Sequence, residues 1–511
     1  MNIVDRIKIL FRKGGAKVGM VKQLNKITDD ERIAISQSEY DRIDMNLKYY
    51  QNKFPKVEYL TSNGYKRRRP FHGSELDKKA CERLASILFN EQCEISAKDS
   101  VANEFIESVL VQNHFNQVFE EKLETAIALG GVAARPYVDD QDNIRIAWAY
   151  AKQFYPLRNN TDRISEAAFS SRTVKTENDM PVYYTLLEFH EWTGPTSYKI
   201  TNELYRSEQV DVIGMQVSLS ALYPNMQEVV VFDDIIKAPI FAYLKTPGRN
   251  SKNLESPLGL GLADRALVQM KTINQIYDQF YREIKLGKRK IGIPEEFLRS
   301  EIAYNADDSI SEGMPMVFDT DQDVYVKLRG DSADSGIQNL TPEIRASQYH
   351  DSLDILLRSF EDYVGFSAGT FSLSSNGSIT TATEVVSNNS KTYQTRSSYL
   401  TQVEGFIKDL CKAILEVASI GELFSDGQAR YTGDVDVEID THFDDGVFVD
   451  KDKQKEEERT DVAASIMPKL QYLMRNYGLS EQEAKQWLRQ VDEESPDFST
   501  NSIDEEPEEV E

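Results

Sequence analysis

Cysteine is scarce: three residues, Cys81, Cys93 and Cys411, in a chain of 511. Their spacing fits no metal motif, and an odd number argues against a disulfide framework. Reduced, mostly buried thiols are expected, in a chain folded in a reducing cytoplasm. The five histidines are scattered and offer no spaced cluster for a metal. No apolar run reaches the roughly 18 residues of a membrane span. The first twenty residues, MNIVDRIKILFRKGGAKVGM, put Ile3, Val4, Ile7, Leu10 and Phe11 on one helical face. Asp5, Arg6 and Lys8 break the apolar core that a signal peptide needs. A short helix docked on this chain or a neighbour is expected there, with a membrane-surface helix as the alternative.

Catalytic signatures are missing as well. There is no G-x-x-x-x-G-K-[ST] phosphate loop, so the chain is not expected to be a P-loop motor. His190–Glu191 begins like a zinc-protease helix, but the fifth position is Gly194 and the segment alternates like a strand. Asp319–Asp323 starts like a calcium loop, yet its sixth position is Val324 and its twelfth is Gly330, where the loop needs Gly and Glu. No enzyme, cofactor or metal is expected. Acidic residues are too abundant for the sequence to single out a nuclease cluster.

What is abundant is negative charge, −25 in total. Tight nucleic-acid binding relies on Lys and Arg neutralising phosphates. An acidic chain suits a surface that DNA slides past, because like charge repels the backbone. It suits plain solubility equally well. The densest basic run, Lys66–Pro70, reads as a solvated loop, with contact to DNA or an acidic neighbour as the functional alternative.

The first half reads as helices followed by antiparallel strands. A helix is expected over 28–55, with Thr28 and Glu31 as a capping box. Others are expected at 75–90, 103–111 and 115–129, the last ending at Gly130–Gly131. A hairpin over 132–148 and strands at 181–192, 198–205 and 240–245 follow from alternation and turn residues.

The chain is organised around residues 257–420. Ala263, Leu267, Met270, Ile273, Ile276, Tyr277, Phe280, Tyr281 and Ile284 recur at helical spacing. They predict a helix of roughly 25 residues, about 37 Å long. A second helix follows Pro342 and carries Leu353, Leu356, Leu357, Phe360 and Val364. Between them lies an insert too short for a large core of its own. It opens with Lys285, Lys288, Arg289 and Lys290, cations that complement a helix C-terminus or form a basic girdle. Strands are expected at 315–318 and 324–328. After the second helix, Ser372, Ser374, Ser375, Asn376, Gly377 and Ser378 make a small, polar loop. A helix of nearly 40 residues then runs from about Thr381 to Ser419. Beyond it come a strand at 431–439, a helix at 451–476 and another opened by Ser480 and Glu483. The tail 492–511 holds ten acidic residues and no basic one, a composition expected to be disordered.

These stretches together resemble the portal protein (head–tail connector) of tailed bacteriophages, of the siphophage type found in Gram-positive hosts. The resemblance is carried by Ile27–Asp44, Leu84–Ile95, Tyr277–Pro294, Val364–Ser372 and Thr381–Thr395. It implies an α+β fold divided as follows: an N-terminal basic segment (1–27), a wing (28–256), stem helices (257–286 and 342–364), a small β-containing clip (287–341), a tunnel loop (365–380), a long wing helix (381–420), an α-helical crown (421–491) and an acidic tail (492–511). It implies a ring at one capsid vertex of the virion, assembled in the host cytoplasm, with twelve subunits in the particle and twelve or thirteen in isolation. Double-stranded DNA would pass through that ring without sequence readout. The terminase large subunit, major capsid and scaffold proteins and head-completion adaptors would be its partners, and no membrane is involved. The polar loop would face the channel, with Asn376 and Ser378 donating hydrogen bonds. Lys391 and Arg396 would contact phosphates or form salt bridges between subunits. Pairing of clip strands would join neighbours edge to edge. The alternative is a capsid-associated minor head or scaffold-type protein, which needs no channel.

Overall fold

The first long helix starts at Gln37, not at Thr28. Residues 27–29 form a single 3-10 turn instead. The acidic side chains meant for a helix start fold the loop: Asp29 Oδ2 accepts the Lys26 amide at 2.8 Å, and Asp30 Oδ1 accepts the Arg32 amide and Nε. Local side-chain bonds of this kind compete with a helix. The computed structural model describes residues 22–61, 64–89, 93–159, 163–233, 236–289, 291–294, 325–328, 338–339, 341–372, 390–443, 451–477, 479 and 481–494. It divides into two units, one ending near residue 444 and one beyond it.

In the first unit, strand β1 (Gln23–Leu24) precedes α1 (Gln37–Tyr50), the β2–β3 hairpin (Val57–Leu60 and Lys66–Arg69), α2 (Leu76–Leu88), β4 (Glu94–Ala97), α3 (Ser100–Gln112) and α4 (Phe115–Leu129). The basic run at Lys66 is thus a strand, not a solvated loop; its ladder with β2 pairs Arg68 with Glu58 and Arg67 with Tyr59. The hairpin β5 (Gly131–Val138) and β6 (Ile144–Tyr150) joins β13 (Ala242–Lys245) in one antiparallel sheet. A larger sheet has the order β1-β11-β10-β9-β8-β7, with β12 also on β10. Its strands are β7 (Phe154–Asn159), β8 (Ile164–Glu177), β9 (Met180–Trp192), β10 (Tyr198–Ser207), β11 (Gly214–Val217) and β12 (Val229–Phe232). The β8–β9 turn places Asn178 and Asp179 at positive φ, as a tight right-twisted hairpin favours.

The expected first stem helix is broken at Ala266 into α5 (Leu262–Arg265) and α6 (Leu267–Leu286). In the insert, β14 (Ile291–Pro294) pairs in parallel with β15 (Tyr325–Leu328) and antiparallel with β16 (Gln338–Asn339). Residues 315–318 lie outside the described residues. The helix expected after Pro342 is α7 (Ala346–Val364). The long helix is described as α8 (Ser390–Ser419); its expected start near Thr381 lies outside the described residues. Its buried face, Val403, Phe406, Ile407, Leu410 and Ile414, enters the core, where Phe406 stacks on Phe119 at 5.5 Å and lies 6.0 Å from Trp148. The strand expected at 431–439 shrinks to β17 (Ile439–His442) on β4. Before it the backbone turns, with the Asp436 amide on Asp434 Oδ1 and the Tyr431 hydroxyl on the Asp434 carbonyl.

The second unit holds α9 (Lys451–Ala463), α10 (Lys469–Tyr477) and α11 (Glu481–Glu494). The single helix expected over 451–476 is two, because Pro468 cannot continue a helix and Ser465 takes a left-handed φ of 60°. Ala484 is buried, but Trp487 and Val491, expected inward, are largely exposed. Ser480, the N-terminal segment to residue 21 and the tail from 495 lie outside the described residues.

Candidate functional site

Helices α6 and α7 form an antiparallel pair built on a few specific contacts. Phe280 of α6 meets Tyr349 of α7 with ring centroids 5.1 Å apart. Beside them Glu283 accepts the Arg345 backbone amide at 3.0 Å and its guanidinium at 2.7 and 3.1 Å. That guanidinium holds the Glu283 carboxyl well down, at about 2. The pair closes the mouth of the insert, fixing where the chain leaves α6 and returns to α7.

A second device braces α6 from outside. Arg69 at the end of β3 sets both terminal nitrogens on Asp278, which also takes the His72 amide. Four residues earlier, Asn274 Oδ1 accepts the amide and hydroxyl of Ser74. Asn274 and Asp278 share one helical face by i, i+4 spacing. Arg69 is the main reason the Asp278 carboxyl lies below the usual carboxylate range.

The third device sits where α7 ends. Gly365 takes a left-handed φ of 85°, a helix C-cap geometry that glycine adopts at low cost. The chain then curls back over Glu361, which is only 1% exposed. Glu361 Oε1 accepts the amides of Phe371 and Ser372 at 2.5 and 2.7 Å, and Oε2 accepts the Gly369 amide and the Ser372 hydroxyl. A buried carboxylate without a basic partner is thereby satisfied by a cradle of backbone donors. The far side is fastened to α8. The Ser367 amide donates to Thr392 Oγ1 at 2.9 Å, the Thr392 amide to Ser367 Oγ at 3.2 Å, and the Thr395 hydroxyl to the Gly365 carbonyl. Ser372 and Ser390 therefore flank residues 373–389 on two fixed anchors.

Of the residues singled out in the sequence, Ser372 belongs to this clasp and is buried. Ser374, Ser375, Asn376, Gly377 and Ser378 lie outside the described residues. Lys391 bonds the carboxylate and carbonyl of Asp362 in the same chain. Arg396 is buried, and its Nε donates to the Ile87 carbonyl at 3.0 Å. Arg396 as described is a core strut with little surface left for a phosphate. Lys285, Lys288 and Arg289 are exposed, and Lys290 lies outside the described residues. Glu361 carries no motif; Arg69 lies in the basic run Lys66–Pro70, and Asp278 and Thr392 lie in stretches that carry the resemblance, but no pattern assigns any of them a role. One signal for Glu361 is present: it stands i+4 from Leu357 and i−3 from Val364, a carboxylate on the inward stripe.

Among the described residues, no group of three or more His, Cys, Asp or Glu could hold a metal ion. No helix among them is long and apolar enough to cross a membrane. A family model described as phage portal protein, SPP1 Gp6-like, matches residues 29–497. No curated protein matches the chain.

Proposed function

The chain belongs to the SPP1 Gp6-like family of phage portal proteins, and from that membership we propose that it forms a closed ring at one capsid vertex and conducts double-stranded DNA during packaging and ejection. The observation that supports this most is the sequence of devices around α6 and α7: a braced helix pair, an insert closed by Arg345 and Glu283, and a segment anchored at both ends on Glu361 and Thr392. A channel loop needs firm anchors if DNA is to move past without dragging the helices. The seventeen residues between Ser372 and Ser390 can reach about 28 Å outward and back.

The stem also carries apolar side chains that a lone chain leaves in water. Val268 on α6 is 72% exposed and Ile355 on α7 is 68% exposed, with Tyr277, Tyr281, Ile284 and Tyr363 also exposed. Such a surface suits contact between copies. A heterologous interface repeated about an axis either closes into a ring or grows into a filament. In this reading the ring has twelve subunits in the particle, the terminase large subunit docks at the clip and supplies the energy, and head-completion adaptors replace it later. Capsid and scaffold proteins surround the stem, in a virion of the siphophage type.

The mass of the purified protein tests the ring. Native mass spectrometry is expected to give twelve or thirteen times 58.3 kDa. A stable monomer or dimer at all concentrations, with or without scaffold, overturns it. For the loop, prolines at Ser374 and Ser378 are expected to impair packaging and leave ring assembly intact; loss of rings overturns the loop assignment.

A further inference from the structure

Two basic runs far apart in the chain meet on one side of α6. Arg69 and Asp278, 209 positions apart, fasten β3 to the helix. Two ladder pairs further along, Tyr59 stands opposite Arg67, and the Tyr59 ring lies 5.4 Å from the Arg282 guanidinium. The strand from Arg69 to Arg67 therefore follows the helix from Asp278 to Arg282. Two strand residues advance about 6.6 Å and four helical residues about 6 Å, so Arg67 comes level with Arg282. Beyond that level the helix presents Lys285 one turn on, and Arg289 follows its C-cap Gly287. Arg67, Lys285 and Arg289 are exposed.

Among the described residues, three carboxylates beside the strip are already engaged. Asp278 is held by Arg69, Glu58 by Arg68, and Glu283 by Arg345. The strip is therefore a patch of positive charge on a chain of net charge −25.

We infer that Arg67, Arg282, Lys285 and Arg289 form a contact surface for the phosphate backbone of duplex DNA. This rests on the portal reading, which supplies DNA as the polyanion that the ring handles. Phosphate contact needs long cationic side chains and no pocket, and it carries no sequence information. An acidic peptide would be held better in a cleft with an apolar anchor. Two clefts among the described residues lie elsewhere, one between α2 and α4 and one along β10. The strip also gives the Arg69–Asp278 brace a purpose, because it is what brings the second basic run to the helix.

The test uses assembled rings of the full chain, mixed-sequence duplex DNA and salt between about 50 and 200 mM. The variant R67E/K285E/R289E is expected to keep the ring mass and to bind DNA at least tenfold more weakly. Its plot of log affinity against log salt should flatten by about 0.9 for each phosphate that the variant no longer neutralises. K175E, an exposed reversal on β8, should bind like the parent. Unchanged binding by the triple variant overturns the inference, as does loss of the ring, which would make the strip a contact between copies. Equal competition by polyglutamate and by DNA would assign the strip to an acidic protein instead. If the parent chain forms no ring at all, the portal reading itself fails, and that outcome is distinct from the others.

Discussion

Arg69 grips Asp278 with both terminal nitrogens, at 2.6 and 2.7 Å, and so fixes a hairpin from the first hundred residues onto the first stem helix. Asp278 is almost fully buried, so deleting Arg69 leaves a carboxylate short of partners. Arg69→Ala is expected to cost about 1–3 kcal/mol in urea unfolding. Arg69→Lys should recover only part of this, because a lysine cannot supply the planar fork. Trypsin should cut the alanine variant at Lys66–Arg68 faster than the parent. The pair also carries a pH signature. Arg69 keeps the Asp278 carboxyl below the usual carboxylate range, so its stabilisation is present above that range and fades as pH falls through the folded value. Unchanged stability and proteolysis in Arg69→Ala would show that the hairpin is held by other contacts.

How far these features were legible in the sequence depends on the range of the interactions. The helices at 76–88, 100–112 and 115–129 and the strands β5, β6, β9 and β10 followed from periodicity and turn residues, which are local. So did the order of helix, insert, helix and, further on, long helix; the loop between lies outside the described residues. Strand β3 was not legible, because KRRR has no apolar alternation and takes its place through pairing with β2 and the grip on Asp278. The start of α1 was misjudged because Asp29 and Asp30 bond their own loop. Glu361 gave a faint signal, as a carboxylate on an apolar stripe, yet its partners lie eight to eleven residues on. The meeting of the two basic runs was out of reach, since no local pattern links residues 67 and 282.

The Glu361 cradle predicts a local rather than a global lesion. Glu361→Gln keeps the shape but gives up one accepting oxygen for a donor that faces other donors. A buried group left unsatisfied costs about 1–3 kcal/mol. Hydrogen exchange should speed up at the amides of Gly369, Phe371 and Ser372, while the α6–α7 pair keeps its protection. Uniform loss of protection across α7 would mean that Glu361 supports the helix itself and not the turn after it.

Gly365 makes a sharper prediction about the same turn. Its φ is 85°, and an added Cβ would lie 2.3 Å from Thr395 Oγ1. Gly365→Ala therefore meets both backbone strain and a clash with α8, and a loss of about 1–3 kcal/mol is expected. Thr395→Ala, which removes both the hydroxyl and the methyl that the added Cβ would meet, should soften the loss in the double variant. Additive effects of the two changes would show that the clash is not shared.

The exposed stem side chains test assembly apart from folding. Val268→Asp and Ile355→Asp change residues that are mostly in water in the single chain, so monomer stability should move by no more than about 0.5 kcal/mol. If these residues meet a neighbouring copy, each new carboxylate is buried on association and the ring population should fall. Native mass spectrometry across a concentration series reads this directly. Rings that persist in both variants would remove this face of the stem from the interface.

Asp77 offers the clearest dependence on pH. It stands in the first turn of α2, 2% exposed, and neither carboxylate oxygen has a hydrogen-bond partner. Burial pushes its pKa up to about 8, and nearby Asp264 adds to the shift. The sign follows from linkage. An acid whose folded pKa exceeds its unfolded value of 3.8 stays protonated in the folded chain where the unfolded chain has already ionised. Its contribution to stability is therefore lost steadily as pH rises from the ordinary carboxylate range towards 8. Above that the folded chain ionises too, and the loss levels off. Asp77→Asn has no proton to lose, so its advantage over the parent should grow with pH across this window. Urea midpoints measured at about pH 5 and about pH 8.5 are the check, with the difference between the two proteins as the readout. A constant difference would mean that Asp77 ionises alike in the folded and unfolded chains, and that some local rearrangement gives its carboxylate a partner.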